Sequence, residues 1–223
     1  MDKGSRRSYG DACGISRALD VVGERWALMV VRELLLGPKR FTDIRAGLPK
    51  LSADVLSQRL RGLEKAGIVV HRKLPPPASS QVYELTDSGR QLEPVLIALG
   101  RWGGANAPAP DEGMCLSTDS RMLSMRTLFR ADLAAGLEAE VELRLGEERV
   151  RVAIGGGEVE IQRAELASPD AVIATDGVTL IDVLHGHREL DDELSAGEMS
   201  FEGDEALARR FTTLFPLPEP APP

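Results

Sequence analysis

Residues Ser52–Ala66 constrain the fold more than any other stretch of the chain. Leu56, Leu60 and Leu63 recur at i, i+4, i+7, which makes one apolar stripe that a helix must bury. Other faces of the same helix carry Asp54, Ser57, Gln58 and Arg61, with Arg59 flanking them. Ser52 is placed to cap the N-terminus, Asp54 adds a carboxylate to the first turn, and Gly67 suits the C-terminal cap. A helix of this kind docks its leucines on a neighbour and turns its polar side outward.

The flanking segments supply the neighbours. Ile15–Val22 has helical periodicity, and so does Glu24–Leu36, with Trp26, Met29, Val30 and Leu34 among its apolar positions. Gly37-Pro38 ends the second of these, because proline cannot continue a helix. Phe41–Gly47 reads as a short third helix, and LPKL after it as a turn. Beyond Ser52–Ala66 the period changes. Residues 68–73 and 82–85 read as two short strands joined by LPPPASSQ, longer than a tight hairpin turn. Thr86 can then cap a long helix from Asp87 to about Trp102, apolar at Leu92, Val95, Leu96 and Leu99. Three helices, a fourth, a two-stranded ribbon and a closing helix are the order of a winged helix-turn-helix.

That order gives the polar face of Ser52–Ala66 a task. Glutamine can bond adenine through two hydrogen bonds and arginine can bond guanine, while serine meets base edges or phosphate. Arg72 and Lys73 lead into the long loop and Ser79 and Ser80 lead out, so the loop has basic and polar shoulders suited to phosphate or the minor groove. Lys39 and Arg40 precede the third helix and Thr42 lies in its first turn, where a positive helix end meets phosphate. Each feature also fits a plainer reading: an amphipathic surface helix with a solvated face, and a solvent-exposed hairpin tip.

Charge separates the chain into unlike halves. The total is −8, but residues 1–110 carry 17 Lys and Arg against 11 Asp and Glu, and the remainder carries 10 against 24. A basic half joined to an acidic one meets different partners. Phosphate attraction is local, on the order of the 8 Å Debye length, so the acidic half need not oppose DNA binding by the basic one. The run GGANAPAPDEG, rich in Gly, Ala and Pro, marks the division. The expected organisation is a DNA-binding and dimerisation domain at 1–103, a linker at 104–113, a second domain at 114–217 and a frayed tail at 218–223. No apolar run is long enough to span a bilayer, and MDKGSRRSYGD lacks a signal-peptide pattern, so a cytoplasmic protein without a membrane partner is expected. Cys13 and Cys115 lie far apart without metal-ligand spacing. No catalytic constellation, metal or cofactor is expected.

The pieces RALDVVGERW, RELLLGPKRFTDIR, LSQRLRGLEKAGIV, YELTDSG and ALGRW occur together in one order and spacing. Residues 13–103 thereby resemble the HxlR family of bacterial transcriptional regulators. The resemblance implies a homodimer in which the N-terminal segment and the last helix pair across subunits, the latter through Leu92, Val95, Leu96, Leu99 and Trp102. It also implies an inverted-repeat double-stranded DNA site with one recognition helix per half-site. Family members often begin this stretch with Cys-Pro; here it is Cys13-Gly14. In some members that cysteine senses oxidants or electrophiles. Cys13 is therefore either a redox sensor or a buried packing residue.

Residues 114–217 read as an α+β domain. Met122–Ala134 has helical character, and EAEVELRLGEERVRVAIGGGEVEIQRAEL alternates as an antiparallel meander with one acidic face. Ala171–Thr175 gives a further strand, Asp176 caps a helix, Glu198–Glu202 is a short strand, and a last helix runs to Phe215. DDEL reads as a solvated helix face, and His185 and His187 as turn residues. DAVIATDGVTLIDVLHG followed by LSAGEMSFEGDEALARRFTTLF resembles the sterol-carrier-protein-like fold. That resemblance implies helices packed on a curved sheet and a sensor for a hydrophobic small molecule, with Leu128, Val152, Leu180, Leu184, Phe201 and Phe211 as candidate lining. A filled core serving dimer contacts or stability is the other reading. For the whole chain, a lipid carrier or enzyme with an N-terminal protein-binding module is the rival to a regulator.

Overall fold

The computed structural model describes residues 8–75, 79–107 and 116–218. The tip of the long loop at 76–78, the linker residues 108–113, Cys115 and the tail from 219 onward lie outside the described residues. The chain forms two compact units, Met1–Leu96 and Ile97–Pro223.

The first unit runs α1 (Gly14–Val22), α2 (Ala27–Leu34), α3 (Phe41–Gly47), α4 (Ala53–Lys65), β1 (Val69–Lys73), β2 (Gln81–Leu85) and α5 (Asp87–Arg90), and ends within α6 (Glu93–Asn106). Val30, Val31, Leu34, Ile44, Leu56, Leu60, Leu63 and Leu85 form its core. Burying each of the three α4 leucines contributes roughly 1.5–3 kcal/mol. α2 starts at Ala27 rather than Glu24 because Trp26 takes the left-handed conformation at φ 78°.

Two elements depart from the sequence reading at the closing helix. The segment Asp87–Trp102 is not one helix: it breaks at Gln91–Leu92 between α5 and α6. Pro94 explains the break, since it has no N–H to offer the carbonyl of Arg90. The helix then continues to Asn106, through the beginning of the stretch read as linker. Gly and Ala are compatible with helix at about 1 kcal/mol per glycine.

Gly89 shows how tightly the first unit is closed. It is buried, and a Cβ there would overlap the Ile68 carbonyl oxygen and lie 3.1 Å from Leu85 Cδ2. Thr86 Oγ1 accepts from the Gly89 N–H at 3.1 Å and donates to the Gly67 carbonyl at 2.6 Å. Gly89→Ala should lower stability by about 1–3 kcal/mol, the usual cost of overpacking. Urea unfolding that leaves the midpoint unchanged would show that the contact with the Ile68 carbonyl gives way.

The second unit contains α7 (Thr118–Leu128), β3 (Ala139–Leu145), β4 (Glu148–Gly155), β5 (Glu158–Arg163), β6 (Ala171–Thr175), α8 (Gly177–Leu184), α9 (Leu190–Ala196), β7 (Met199–Gly203) and α10 (Glu205–Thr212). The strands form one sheet in the order β5-β4-β3-β6-β7. It is mixed, which corrects the expectation of an antiparallel sheet: β6 runs parallel to β3. The cause is the route of the chain. β5 ends at one edge, and residues 164–170 pass back over β4 and β3 before β6 begins. Along that path the Leu166 N–H donates to Glu142 at 2.7 Å, and the Asp170 N–H donates to the Glu140 carbonyl at 2.8 Å.

Alternation sets the two faces of the sheet. Val141, Leu143, Val150, Val152, Ile161 and Ile173 are fully buried, and Met122, Leu180 and Phe211 of the helices are buried with them. Glu140, Glu142, Arg144 and Arg151 lie on the opposite face, where Arg151 pairs with Glu140 and Glu160, and Arg144 with Glu142 and Glu202. α7 starts at Thr118, set by the Ser117 cap, and stops at Leu128 because Phe129 is extended.

Candidate nucleic-acid interface

α4 divides its side chains as a DNA-reading helix must. Leu56, Leu60 and Leu63 are buried, while Asp54, Gln58 and Arg61 are exposed and Ser57 is half-buried. Neither Gln58 nor Arg61 is held by an internal hydrogen bond among the described residues, so both can reach outward. Ser52 accepts from the Val55 N–H at 3.3 Å, which makes it the cap of α4. Arg61 and Glu64 lie close enough to Tyr83 of β2 to act on its phenol. Burial pushes that phenol's pKa up, Glu64 adds to the rise, and Arg61 opposes it. The Tyr83 ring stacks on His71 across the ribbon, centroids 4.4 Å apart.

Other expected contacts are arranged differently. Arg59 is turned inward, donating to the Arg25 carbonyl at 2.9 Å and pairing with Glu24 at 3.1 Å, because its position faces the α1–α2 turn. Lys39 Nζ donates to the buried Glu33 at 2.8 Å, so its charge is compensated inside the unit. Arg72 pairs with Glu84 on the neighbouring strand. Arg40 and Lys73 are exposed. The Arg40 N–H donates to Asp43 at 3.3 Å, and Thr42 Oγ1 donates to the same carboxylate at 3.2 Å. Ser79 is exposed with φ 43°, and Ser80 is half-buried. Glu33 escaped the sequence reading. The available signal was a carboxylate inside the apolar run LMVVRELLL, six residues before Lys39.

The expected dimer residues divide into two sets. Val95, Leu99 and Trp102 are 51%, 49% and 63% exposed, at i, i+4, i+7 along α6. Ile15 and Leu19 of α1 are exposed as well. Leu96 instead enters the first unit's own core and Leu92 packs against it. Leu96 lies about 100° round the helix from Val95, and Leu92 precedes the helix.

Cys13 is exposed at the N-cap of α1 in the single chain and is not part of that chain's own core. Its N–H donates to Asp11 Oδ1 at 3.0 Å. In the second unit Leu128, Val152, Leu180, Leu184 and Phe211 are buried and Phe201 is half-buried. A hollow of about 530 Å³ opens at the sheet, and none of those six lines it. Its walls carry Glu138, Glu140, Glu158, Glu160 and Asp170, a poor match to an apolar molecule. His185 is held neutral by burial and by His187, its pKa pushed down to about 4. Among the described residues no group of side chains suits a metal ion, and no helix is long and apolar enough to cross a membrane.

Residues 21–111 match the HxlR-like helix-turn-helix family. The helix-turn-helix-type transcriptional regulator YvaP of Bacillus subtilis is 41% identical over 86 residues, covering 39% of this chain and 80% of YvaP. YdeP of the same organism is 34% identical over 96 residues, covering 42% of this chain and 73% of YdeP. The reduced form of the transcriptional regulator YodB from B. subtilis is 30% identical and covers 45% of this chain and 100% of its own, with a TM-score of 0.40. The chain belongs to the HxlR-like helix-turn-helix family of transcriptional regulators, with its DNA-binding domain in the first unit.

Proposed function

We propose that the protein is a homodimer that reads an inverted-repeat operator through α4, with the second unit as the effector-responsive part. The observation that carries the DNA reading is the division of α4, with three leucines buried and Asp54, Gln58 and Arg61 outward. Arg40, Lys73 and Ser79 add exposed polar groups for phosphate on the flanking segments. Two recognition helices related by a two-fold axis match half-sites one helical turn or more apart. Replacing Gln58 or Arg61 by Ala should weaken operator binding by roughly 1–3 kcal/mol while the unfolding midpoint stays within experimental scatter. Equal affinity in both variants would place the reading face elsewhere.

The effector part rests on the apolar interior between the sheet and its helices. Five of the six lining candidates are buried there, so a hydrophobic molecule enters only if that interior opens. Coupling then requires the ligand to bind the DNA-competent and incompetent states unequally. A second reading is favoured by the exposure of Cys13: an oxidant or electrophile that modifies this thiol alters DNA affinity. Treating the protein with diamide and measuring operator affinity separates the two, since Cys13→Ser abolishes the response only in the thiol mechanism.

A further inference from the structure

Against the end of α3 lies a buried carboxylate for which base contact gives no role. Glu33 of α2 is 0% exposed. An unpaired buried carboxylate would cost several kcal/mol, so its partners decide whether it is tolerated. Oε1 accepts from Arg32 and Oε2 accepts from Lys39 Nζ, each at 2.8 Å. Burial pushes the carboxyl's pKa up, but Lys39 and then Arg32 outweigh it and hold it below the ordinary 4.5. Glu33 is therefore an anion at neutral pH.

Two further contacts give that anion reach. A Cβ on Gly47, the last residue of α3, would overlap Glu33 Oε2, so the end of α3 packs directly on the carboxylate. The Lys39 backbone pairs both ways with Tyr83: its N–H donates to the Tyr83 carbonyl at 3.0 Å and its carbonyl accepts from the Tyr83 N–H at 2.8 Å. Lys39 thus acts as a short third strand beside the β1–β2 ribbon. One carboxylate holds Lys39, two residues before α3, packs on Gly47, which ends it, and through the Lys39 backbone reaches the ribbon.

We propose that Glu33 is a positioning residue for DNA recognition, which fixes α3 and the ribbon relative to α4 by holding Lys39 and seating Gly47. This rests on the DNA-binding reading above. It differs from charge balance in the sign of its effect. Removing one negative charge from a DNA-binding unit raises affinity for any duplex. Losing the position of the reading elements lowers the preference for one sequence over others.

The test uses the full chain, Glu33→Met, Glu33→Gln and Lys39→Met, with two probes: a random-sequence duplex and a duplex enriched by the parent protein from a random pool. Glu33→Met and Lys39→Met should lose about tenfold or more of the preference for the enriched duplex. Binding of Glu33→Met to the random duplex should hold or rise. Glu33→Gln keeps an acceptor for one cation but sets donors against the other, so it falls between. Native-state hydrogen exchange should show the Lys39 and Tyr83 amides losing protection while core amides of α4 keep theirs. An equal rise for both duplexes would reduce Glu33 to charge balance. Loss of protection across the whole first unit would reduce it to general stability. Either result overturns the proposal. A parent that binds neither duplex in a salt-dependent way overturns the DNA-binding reading instead, and the Lys39 and Tyr83 amides then decide alone whether the carboxylate holds the ribbon.

Discussion

Replacing Leu99 by glutamate, together with Trp102→Ser, is expected to give a monomer that has lost about 100-fold or more of its affinity for a palindromic duplex. Two half-sites bound by one dimer gain from effective concentration, a gain of roughly 10²–10⁴ that a monomer forfeits. The apolar face in question is built from Val95, Leu99 and Trp102 of α6, each about half exposed or more, with Ile15 and Leu19 on α1 also exposed. A charge at Leu99 carries little penalty in the monomer, because that side chain already meets water. In a closed two-fold interface the same charge would be buried twice, once from each subunit. Sedimentation velocity reads the mass, and titration of a two-half-site duplex reads the affinity. A variant that remains dimeric, or a monomer that binds as tightly as the parent, would remove α6 from the interface.

Phe211→Ala should cost about 3–5 kcal/mol of stability in the second unit, the usual range for deleting a buried phenyl ring. Phe211 has no exposed surface, and its ring lies 5.1 Å from that of Phe215, which in turn lies 5.8 Å from Phe129. Such a cluster leaves the truncated side chain's volume empty rather than refilled. The variant therefore also tests the effector reading. Small apolar compounds should restore part of the lost stability in Phe211→Ala by filling the new cavity. If they stabilise the parent as well, the interior opens without help and the hydrophobic-effector reading gains support. If the variant unfolds at the parent's urea midpoint, Phe211 is not packed as described. A parent that no apolar compound stabilises leaves Cys13 as the stronger sensor candidate.

Local pattern determined a large part of this fold. The bounds of α3 follow from Phe41, Ile44 and the Gly47 stop, and α4 from the Ser52 cap and its leucine stripe, because capping and a 3.6-residue period act over a few neighbouring residues. The same holds for β6 at Ala171–Thr175, bounded by Asp170 and the Asp176 cap. The outward polar side of α4 was legible for the same reason: a buried stripe fixes which residues remain outside.

What tertiary structure alone decided concerns partners distant in sequence. Arg59 and Gln58 are adjacent and equally polar, yet only Arg59 finds Glu24 and the Arg25 carbonyl, more than thirty residues back. Lys39 read as a phosphate contact because the apolar run around Glu33, six residues earlier, hints at a buried carboxylate but does not show which cation the turn at Gly37-Pro38 brings back to it. Leu96 and Leu99 belong to one apolar run, but the core occupies a single direction, so one is buried and the other exposed. The parallel pairing of β3 with β6 depends on residues 164–170 returning the chain to the end of the sheet where β3 begins, and a period-two pattern is identical for parallel and antiparallel neighbours. Sequence periodicity states that a side chain will be buried; the identity of the group that meets it is set by chain segments converging from elsewhere, and a charged side chain changes its role according to whether that group is water, DNA or a buried carboxylate.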